Sequence, residues 1–281
     1  MRLIKMIGGL GNQMFIYAFY LQMRKRFSDT RIDLSDMRHY HAHNGYEVDR
    51  VFGISDREFC IAKPLKKVLE FLFFKVILER KQNLETMEAF TKSYAYPFLY
   101  FKGFYQSERF FKDVEGEVRQ AFAFDLNKAN AESQTLARQI QENPHAVSLH
   151  VRRGDYMEPK FYKRYGTVCS QAYFQRAVEM MLAQVPQAHF YIFSDDVEWV
   201  QQNLRLPRAT VVSCNRGADS WQDMMLMSRC KHNIIANSTF SWWGAWLNPN
   251  KQKIVIAPNR WFANHDAPNI IPDGWIKVAT N

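Results

Sequence analysis

The sequence predicts an α/β protein made of two domains that face each other across a cleft. A chain of 281 residues is longer than one typical domain and suits two. In the second half, short apolar segments alternate with helical segments, a pattern typical of a parallel sheet covered by helices on both faces. The pattern breaks at Asn143-Pro144, so the predicted domains are 1–143 and 144–281.

The first half begins with an apolar strand that a Gly-rich turn joins to a helix. The predicted strands of this half cover 3–7, 31–34 and 96–105, and the predicted helices cover 12–27, 63–81, 108–122 and 125–141. In the second half, the predicted strands cover 146–151, 189–194, 210–212, 233–236 and 253–257, and the helices cover 170–184, 197–203 and 221–230.

The segment 63–81, KPLKKVLEFLFFKVILERK, is basic at both ends and has apolar residues at helical spacing. Pro64 suits the first turn of a helix. Two interpretations stay open: a helix that faces the core of the first domain, or a basic amphipathic helix that rests on anionic lipid at the inner membrane.

The formal net charge of +9 favours an anionic partner, either nucleic acid, an acidic membrane surface or a phosphorylated small molecule. The basic residues are scattered and no nucleic-acid-binding signature is found, so nucleic acid is not expected. Four dispersed cysteines without a CxxC pair indicate free thiols in a reducing compartment and no zinc site. With no signal peptide or membrane span in the sequence, we expect a cytoplasmic protein.

The predicted strand 146–151 runs out into a loop with two adjacent arginines, His150-Val151-Arg152-Arg153-Gly154-Asp155. Side chains alternate along a strand, so His150 and Arg152 share one face. The planar guanidinium fork suits phosphate oxygens, and open α/β sheets bind ligands beyond the carboxyl ends of their strands. The motif predicts a ligand that carries a diphosphate. A salt-bridged rim around Asp155 is the structural alternative.

The segment Gly8-Gly9-Leu10-Gly11-Asn12-Gln13 follows the first strand and opens a helix, where backbone N–H groups can hold a phosphate. It matches neither the dinucleotide fingerprint nor the P-loop. A tight strand–helix turn is the alternative. The side-chain amides favour ligand contact, and the candidate residues are Gly9, Gly11, Asn12 and Gln13.

The segment 237–246, Asn-Ser-Thr-Phe-Ser-Trp-Trp-Gly-Ala-Trp, follows another predicted strand. Its small hydroxylated residues suit either a helix cap or a phosphate site at the helix N-terminus. At the end of a further strand, Asp195 and Asp196 favour capping and the orientation of an arginine over metal binding. Asp223 is either a solvated acid on a helix edge or a carboxylate that accepts N–H groups of a purine.

Four motifs together resemble the bacterial α-1,2-fucosyltransferases of glycosyltransferase family 11. They are HVRRGDY at 150–156, FSDD at 193–196, NSTFSWWGAWLN at 237–248 and GGLGNQMFIYA at 8–18, and GFYQSE at 103–108 resembles another family segment. The likeness spans nearly the whole chain. It implies a GT-B-like pair of Rossmann-like domains, with an N-terminal acceptor-side domain and a C-terminal GDP-fucose-binding domain. It also implies GDP-fucose as donor, no metal or other cofactor, and inversion at the anomeric carbon.

The resemblance also implies roles for individual residues. Arg152 would contact the β-phosphate, and His150 and Asp223 would contact guanine or its nucleoside. Arg153 and Asp155 would shape the same loop. Other residues expected around the donor are Asp195, Asn237, Ser238, Thr239, Ser241 and Trp242.

Asn12 would lie near the fucose and the incoming hydroxyl, so the expected catalytic residues are Arg152, Asp155 and Asn12. The general base stays open between Asp155, Glu158 and no dedicated base. The expected reaction moves L-fucose to the 2-hydroxyl of a terminal galactose on an oligosaccharide or glycolipid. A fucosyltransferase of other linkage or acceptor, a non-catalytic nucleotide-sugar binder and a nucleic-acid binder are the alternatives. The sequence names neither the natural acceptor nor the oligomeric state.

Overall fold

A computed structural model describes residues 1–37, 40, 42–55, 58–61, 63–79, 96–267 and 269–280. The chain forms two compact units, Met1–Phe124 and Asp125–Asn281. Each unit is an α/β domain built on one parallel sheet, as the sequence predicts. Among the described residues, no helix has both the length and the apolar character that crossing a bilayer requires.

The first unit contains a five-stranded sheet with the order β3-β2-β1-β5-β4, and all its strand pairs are parallel. The strands are β1 Arg2–Lys5, β2 Thr30–Asp33, β3 Glu58–Phe59, β4 Lys75–Leu78 and β5 Leu99–Lys102. The helices are α1 Leu10–Arg26, α2 Glu47–Phe52, α3 Lys63–Leu72 and α4 Glu115–Ala121. Most of α1 is buried, as expected of a helix that is apolar around its whole circumference.

The predicted helix 63–81 is wrong beyond its first ten residues. Helix α3 ends at Leu72, and Lys75–Leu78 form the edge strand β4, which pairs with β5. Aromatic and β-branched residues dominate the segment after Leu72, and such residues fit a strand. The apolar spacing continues without a break into β4, so periodicity alone did not reveal where the helix ends. Lys81 lies outside the described residues.

The second unit contains a six-stranded sheet with the order β11-β10-β9-β6-β7-β8, again parallel throughout. The strands are β6 Ala146–Val151, β7 His189–Ser194, β8 Ala209–Val212, β9 His232–Ile234, β10 Val255–Pro258 and β11 Ile276–Val278. The longer helices are α5 Ala131–Glu142, α6 Gln171–Gln184, α7 Val197–Asn203, α8 Trp221–Arg229 and α9 Thr239–Leu247. Every residue of the central strand β6 is buried.

The division between the units precedes the predicted boundary at 143/144. Helix α5 belongs to the second unit, where Asn130 and Ser133 at its start donate hydrogen bonds to the side-chain oxygen of Asn215 over 2.9 and 3.0 Å. Asn143-Pro144 marks the end of this helix, and a break in helical pattern does not distinguish a helix end from a domain end. The predicted roles of the two domains stay predictions.

In the second sheet, the chain leads from β6 to β7 and β8 on one side, then crosses to β9 on the other side. The carboxyl ends of β6 and β9 therefore flank a topological switch point, the place where open α/β sheets bind ligands. The first sheet has its own switch point between β1 and β5. The motifs at 150–155 and 237–246 follow β6 and β9, and those at 8–13 and 103–108 follow β1 and β5.

Candidate functional site

Two carboxylates hold Arg152 in the loop after β6. Its Nη2 atom donates to Asp155 Oδ1 over 2.7 Å, and its Nη1 atom lies 2.8 Å from Asp195 Oδ2. Burial lowers the pKa of Arg152, but the two carboxylates outweigh burial and bring the pKa above its ordinary value. A guanidinium has five N–H donors, so the remaining N–H groups of this fixed cation can bind an anion.

Arg153 contacts Asp196 and Trp199, which are not partners of Arg152. Its Nε atom donates to Asp196 Oδ2 over 2.9 Å, and its guanidinium carbon lies 4.4 Å from the ring centroid of Trp199. Asp196 also caps α7 by accepting the Trp199 N–H over 3.0 Å. Burial raises the pKa of Asp196, but hydrogen bonds from Arg153 and Trp199 lower it more. Arg153 thus ties the β6 loop to α7, which matches the loop-shaping role the resemblance implies.

Asp195 organises this loop from the end of the neighbouring strand β7. One of its carboxylate oxygens accepts the backbone N–H groups of Arg153 and Gly154 over 2.8 and 3.1 Å, and the other pairs with Arg152. A Cβ atom at position 154 would lie 2.5 Å from Asp195 Oδ2. Glycine is therefore needed there for the carboxylate to approach the backbone so closely. The orienting role predicted for the acidic pair is confirmed by these contacts.

His150 is buried on β6, and its Nδ1 atom has no hydrogen-bond partner. Its ring centroid lies 5.8 Å from that of Phe240. Burial, with the nearby Arg152 charge, lowers the pKa of His150 to about 3, so the imidazole is neutral at physiological pH. A buried polar atom without a partner is costly, and a ligand hydrogen bond would remove that cost. The predicted nucleoside contact of His150 stays a prediction.

Hydroxyl groups cap helix α9 at the carboxyl end of β9. Ser238 Oγ accepts the Phe240 N–H over 3.3 Å, and Ser241 Oγ donates to the Ser238 carbonyl over 3.3 Å. Thr239, the first helical residue, is half-buried. The predicted capping is confirmed. Phosphate binding at the same helix N-terminus stays a prediction.

The neighbouring side chains of Asn237 and Trp242 are buried. Trp242 has no exposed surface, and its Nε1 atom donates to the Ile270 carbonyl over 2.8 Å. Asn237 is also buried and donates to the Trp261 carbonyl over 3.1 Å. Their predicted place around the donor stays a prediction.

Asp223 lies in the first turn of α8, where Asn215 Nδ2 donates to its Oδ1 atom over 2.8 Å. Burial raises the pKa of Asp223 to about 7, although the hydrogen bond from Asn215 opposes this. The carboxyl group is therefore partly protonated at neutral pH. Asn215 was missed at the sequence level because it lies in an irregular segment with no motif around it. Its second interaction with Asn130 and Ser133 fixes the amide that orients Asp223.

At the switch point of the first sheet, Gln106 Nε2 donates to Asn12 Oδ1 over 2.7 Å. Gln106 was missed as a candidate, although it lies in the family-like segment 103–108. Gln13 is fully buried, and its amide bonds four backbone groups, donating to Gly8 and Gly45 and accepting from 47 and 48. The amide joins the turn to α2, and its predicted ligand contact stays a prediction.

The glycines of the same turn have structural roles. Gly9 is the N-cap residue of α1, and its carbonyl accepts the N–H groups of Asn12 and Gln13 over 2.9 and 3.0 Å. A Cβ atom at Gly9 would lie 3.1 Å from His43 Cβ. Gly11 is buried in the first turn of α1. The tight strand–helix turn is confirmed, and a phosphate at this turn stays a prediction.

The two candidates for the general base differ in their surroundings. Asp155 is partly buried and bound to Arg152, whereas Glu158 is half-exposed and lies 2.9 Å from Lys160 Nζ. In the part of the chain that the structure describes, no group of three or more His, Cys, Asp or Glu side chains is placed to hold a metal ion.

Comparisons with known proteins identify the relatives of this chain. The family model described as Glycosyl transferase family 11 matches residues 1–279. An alpha-1,2-colitosyltransferase of Escherichia coli is 31% identical over 98% of this chain and 97% of its own length. The O-antigen biosynthesis glycosyltransferase WbnK of Escherichia coli is 28% identical over 96% of this chain and 98% of its own length. Galactoside alpha-(1,2)-fucosyltransferase 1 of Leontocebus fuscicollis is 30% identical over 54% of this chain and 43% of its own.

Solved structures show the same fold at low sequence identity. The NodZ alpha-1,6-fucosyltransferase co-crystallized with GDP is 14% identical, with a TM-score of 0.51 over 86% of this chain and 91% of its own. A variant of Arabidopsis thaliana FUT1 in complex with GDP is 11% identical, with a TM-score of 0.52 over 96% of this chain and 74% of its own. The predicted GT-B-like α/β fold is confirmed. With a family match across nearly its whole length, this chain belongs to glycosyltransferase family 11.

Proposed function

We propose that this glycosyltransferase moves L-fucose from GDP-fucose to the 2-hydroxyl of a terminal galactose, with inversion and without a metal ion. Family membership supports glycosyl transfer, and two of the relatives carry α-1,2 linkages in their names. The observation that carries the proposal is the Arg152 guanidinium, held by two carboxylates beyond the carboxyl end of β6. This is where an α/β sheet binds a phosphorylated ligand.

The chemistry needs stabilisation of negative charge. Breaking the bond between fucose and phosphate leaves a GDP diphosphate that gains charge in the transition state. Arg152 is preorganised to meet this charge, and a positioned donor of this kind contributes on the order of 10²-fold or more to the rate. The N-terminus of α9 adds the partial positive charge of its backbone N–H groups. Together these groups supply the electrostatic role that a divalent cation plays in other enzymes.

Asp155 is our first candidate for the general base, for a reason that depends on charge. In the free site its carboxylate is bound to Arg152. A donor phosphate that takes the place of Asp155 on the guanidinium would release the carboxylate as a hydrogen-bond acceptor for the galactose hydroxyl. Glu158, paired with Lys160 at the surface, is the second candidate. An oxocarbenium-like path with no dedicated base is the third.

We further propose a cytoplasmic enzyme that uses a galactose-terminated oligosaccharide or glycolipid and makes peripheral contact with the inner membrane. Colitosyl transfer is a second candidate function. It is favoured by the colitosyltransferase that is 31% identical over almost the full length of both chains.

The decisive experiment incubates the pure protein, in EDTA, with GDP-fucose or GDP-colitose and a panel of galactosides. Products are analysed for mass, linkage and anomeric configuration. An α-1,2-fucosylated galactoside supports the proposal. Colitosylated product alone would identify the second candidate. Donor binding without product would show a non-catalytic nucleotide-sugar binder, and activity that EDTA abolishes would overturn the metal-independent chemistry.

A further inference from the structure

Helix α3 and the strand that follows it expose a set of large apolar side chains. Phe71 is 89% exposed, and the other members of this set are each more than a third exposed. The set, here called the α3 surface, comprises Leu65, Val68, Phe71, Leu72, Phe73 and Val76. Tyr96 and Phe98 are also exposed beside β4. Globular proteins rarely expose contiguous apolar patches without a function.

The opposite face of α3 is turned inward and carries Lys66 and Glu70 together with the partly buried Leu69. Lys66 is buried, and its Nζ atom lies 2.8 Å from Asp33 Oδ2 and 3.1 Å from Asp36 Oδ2. One turn later, Glu70 Oε2 lies 2.6 Å from Lys102 Nζ on strand β5. A surface helix ordinarily buries its apolar stripe and exposes its polar one. Helix α3 instead exposes most of its apolar side chains and buries one of its lysines.

Ion pairs fix this orientation. Burial raises the pKa of Asp33 and lowers that of Lys66, but hydrogen bonds from Lys66, Ser35 and Tyr100 together outweigh burial at Asp33, and Asp33 and Asp36 together outweigh it at Lys66. The pKa of Asp33 is therefore below its ordinary value and that of Lys66 above it. Asp33 also accepts the Tyr100 hydroxyl. Rotating α3 to hide its apolar side chains would leave these buried charges unpaired, at high cost. The ion pairs of Lys66 therefore keep the α3 surface facing outward.

The charges around the α3 surface indicate what covers it. Lys67 and Lys75 are exposed among the apolar residues, and Lys75 Nζ lies 3.8 Å from the Tyr96 ring centroid. Lys102 neutralises Glu70, the one acidic residue of α3. Exposed apolar side chains flanked by lysine and an aromatic ring are typical of a helix that lies in the interface of an anionic bilayer. Each lysine near such a surface strengthens binding.

A second copy of the chain fits these charges less well. In a symmetric dimer the same patch would meet itself, which would bring the lysines of the two copies together without a carboxylate of α3 left to receive them. We therefore infer that the α3 surface docks the enzyme on the surface of an anionic lipid bilayer. The inference rests on the proposed function: it names the surface that makes the proposed membrane contact, and the purpose of docking is access to a lipid-borne acceptor.

The test measures co-sedimentation of the full chain with vesicles of phosphatidylcholine, with and without phosphatidylglycerol, at low and high salt. The wild type should bind the anionic vesicles at low salt and the neutral ones weakly. Phe71→Asp should lower the partition coefficient at least about tenfold, and Lys67→Glu should lower it about fivefold or more. Met180→Asp and Lys251→Glu, which make the same charge changes at exposed positions of the second unit, should bind like the wild type.

Three results would overturn the inference. The first is equal binding of Phe71→Asp and wild type to anionic vesicles. The second is absence of wild-type binding to anionic vesicles. If the wild type is then a dimer that Phe71→Asp converts to monomer in analytical ultracentrifugation, the α3 surface is a self-association surface. The third is a large loss of thermal stability in Phe71→Asp, which would show that the side chain is packed. The rate of transfer to a soluble galactoside should be unchanged in Phe71→Asp. Vesicle binding therefore tests docking, and transfer activity tests the proposed function independently of docking.

Discussion

Replacing Gly154 with alanine would test whether Asp195 holds Arg152 in its working position. The new Cβ atom would lie 2.5 Å from Asp195 Oδ2, whereas ordinary contacts begin at 3.4 Å. The carboxylate would have to move by about 0.9 Å, and it can do so because it ends a rotatable side chain. The movement would break its 2.8 Å contact with Arg152, so the guanidinium would lose one of its two anchors.

The size of the effect follows from that displacement. A misplacement of about 1 Å in a catalytic group can cost on the order of 10²-fold in rate, and we expect kcat to fall by about that factor. The fold should survive, because the disturbed contacts are partly exposed and a few such hydrogen bonds contribute about 1–2 kcal/mol. Steady-state kinetics and thermal melts measure the two quantities. Gly274→Ala, with no heavy atom within 4 Å of its new Cβ atom, is the matched control. A Gly154→Ala protein with wild-type kcat would refute the argued dependence of Arg152 on Asp195.

Four other predictions concern three single side chains. Arg152→Ala should lower kcat by about 10²-fold or more in a folded protein, and wild-type turnover would contradict the proposed role of this cation. If the ionised Asp223 carboxylate accepts guanine N–H groups, calorimetry should show that GDP affinity rises from about pH 6 to 8. The reason is that the pKa of Asp223 is about 7. If Asp223→Asn has the same pH profile as the wild type, the pH dependence belongs to another group. The raised pKa also means that Asp223 destabilises the folded chain as pH rises from its ordinary pKa towards 7, so Asp223→Asn should melt at a higher temperature than wild type at about pH 8. Trp242→Phe should lower the free energy of unfolding by about 1–3 kcal/mol, because the hydrogen bond to Ile270 is lost. The Kd for GDP should stay within about twofold of the wild-type value. A large change in that Kd would support a contact between Trp242 and the donor.

The sequence predicted most strands correctly because a parallel sheet is buried on both faces. Strand β6 has the predicted bounds 146–151, and β7 has 189–194. Their loops carry charged residues that core packing does not explain, so Arg152 and Asp195 were found as candidates. The acidic pair was also predicted to orient an arginine, and the parallel pairing of β6 with β7 is what brings Asp195 to Arg152.

Other features depend on tertiary contacts that local sequence does not encode. Gln13 carries a side-chain amide of the kind that binds ligands. In the folded chain this amide donates a hydrogen bond to Gly45, which lies more than thirty positions later in the sequence. Asn215 orients Asp223 from a loop without a recognisable pattern. The inverted α3 has ordinary amphipathic spacing, and only the positions of Asp33 and Lys102 in the folded chain determine which of its faces turns inward.

The charge balance of the β6 loop explains why an arginine is required at position 152. The residues 150–155 and 194–196 bring two guanidiniums together with three carboxylates, Asp155, Asp195 and Asp196. The free loop is therefore not a simple positive patch, and the net charge of +9 does not by itself attract the donor there. In the proposed mechanism, Arg152 binds Asp195, exchanges Asp155 for a phosphate and keeps its charge throughout. A lysine ammonium is a single point charge without a planar fork, so it cannot hold an orienting carboxylate and a diphosphate in fixed directions at once.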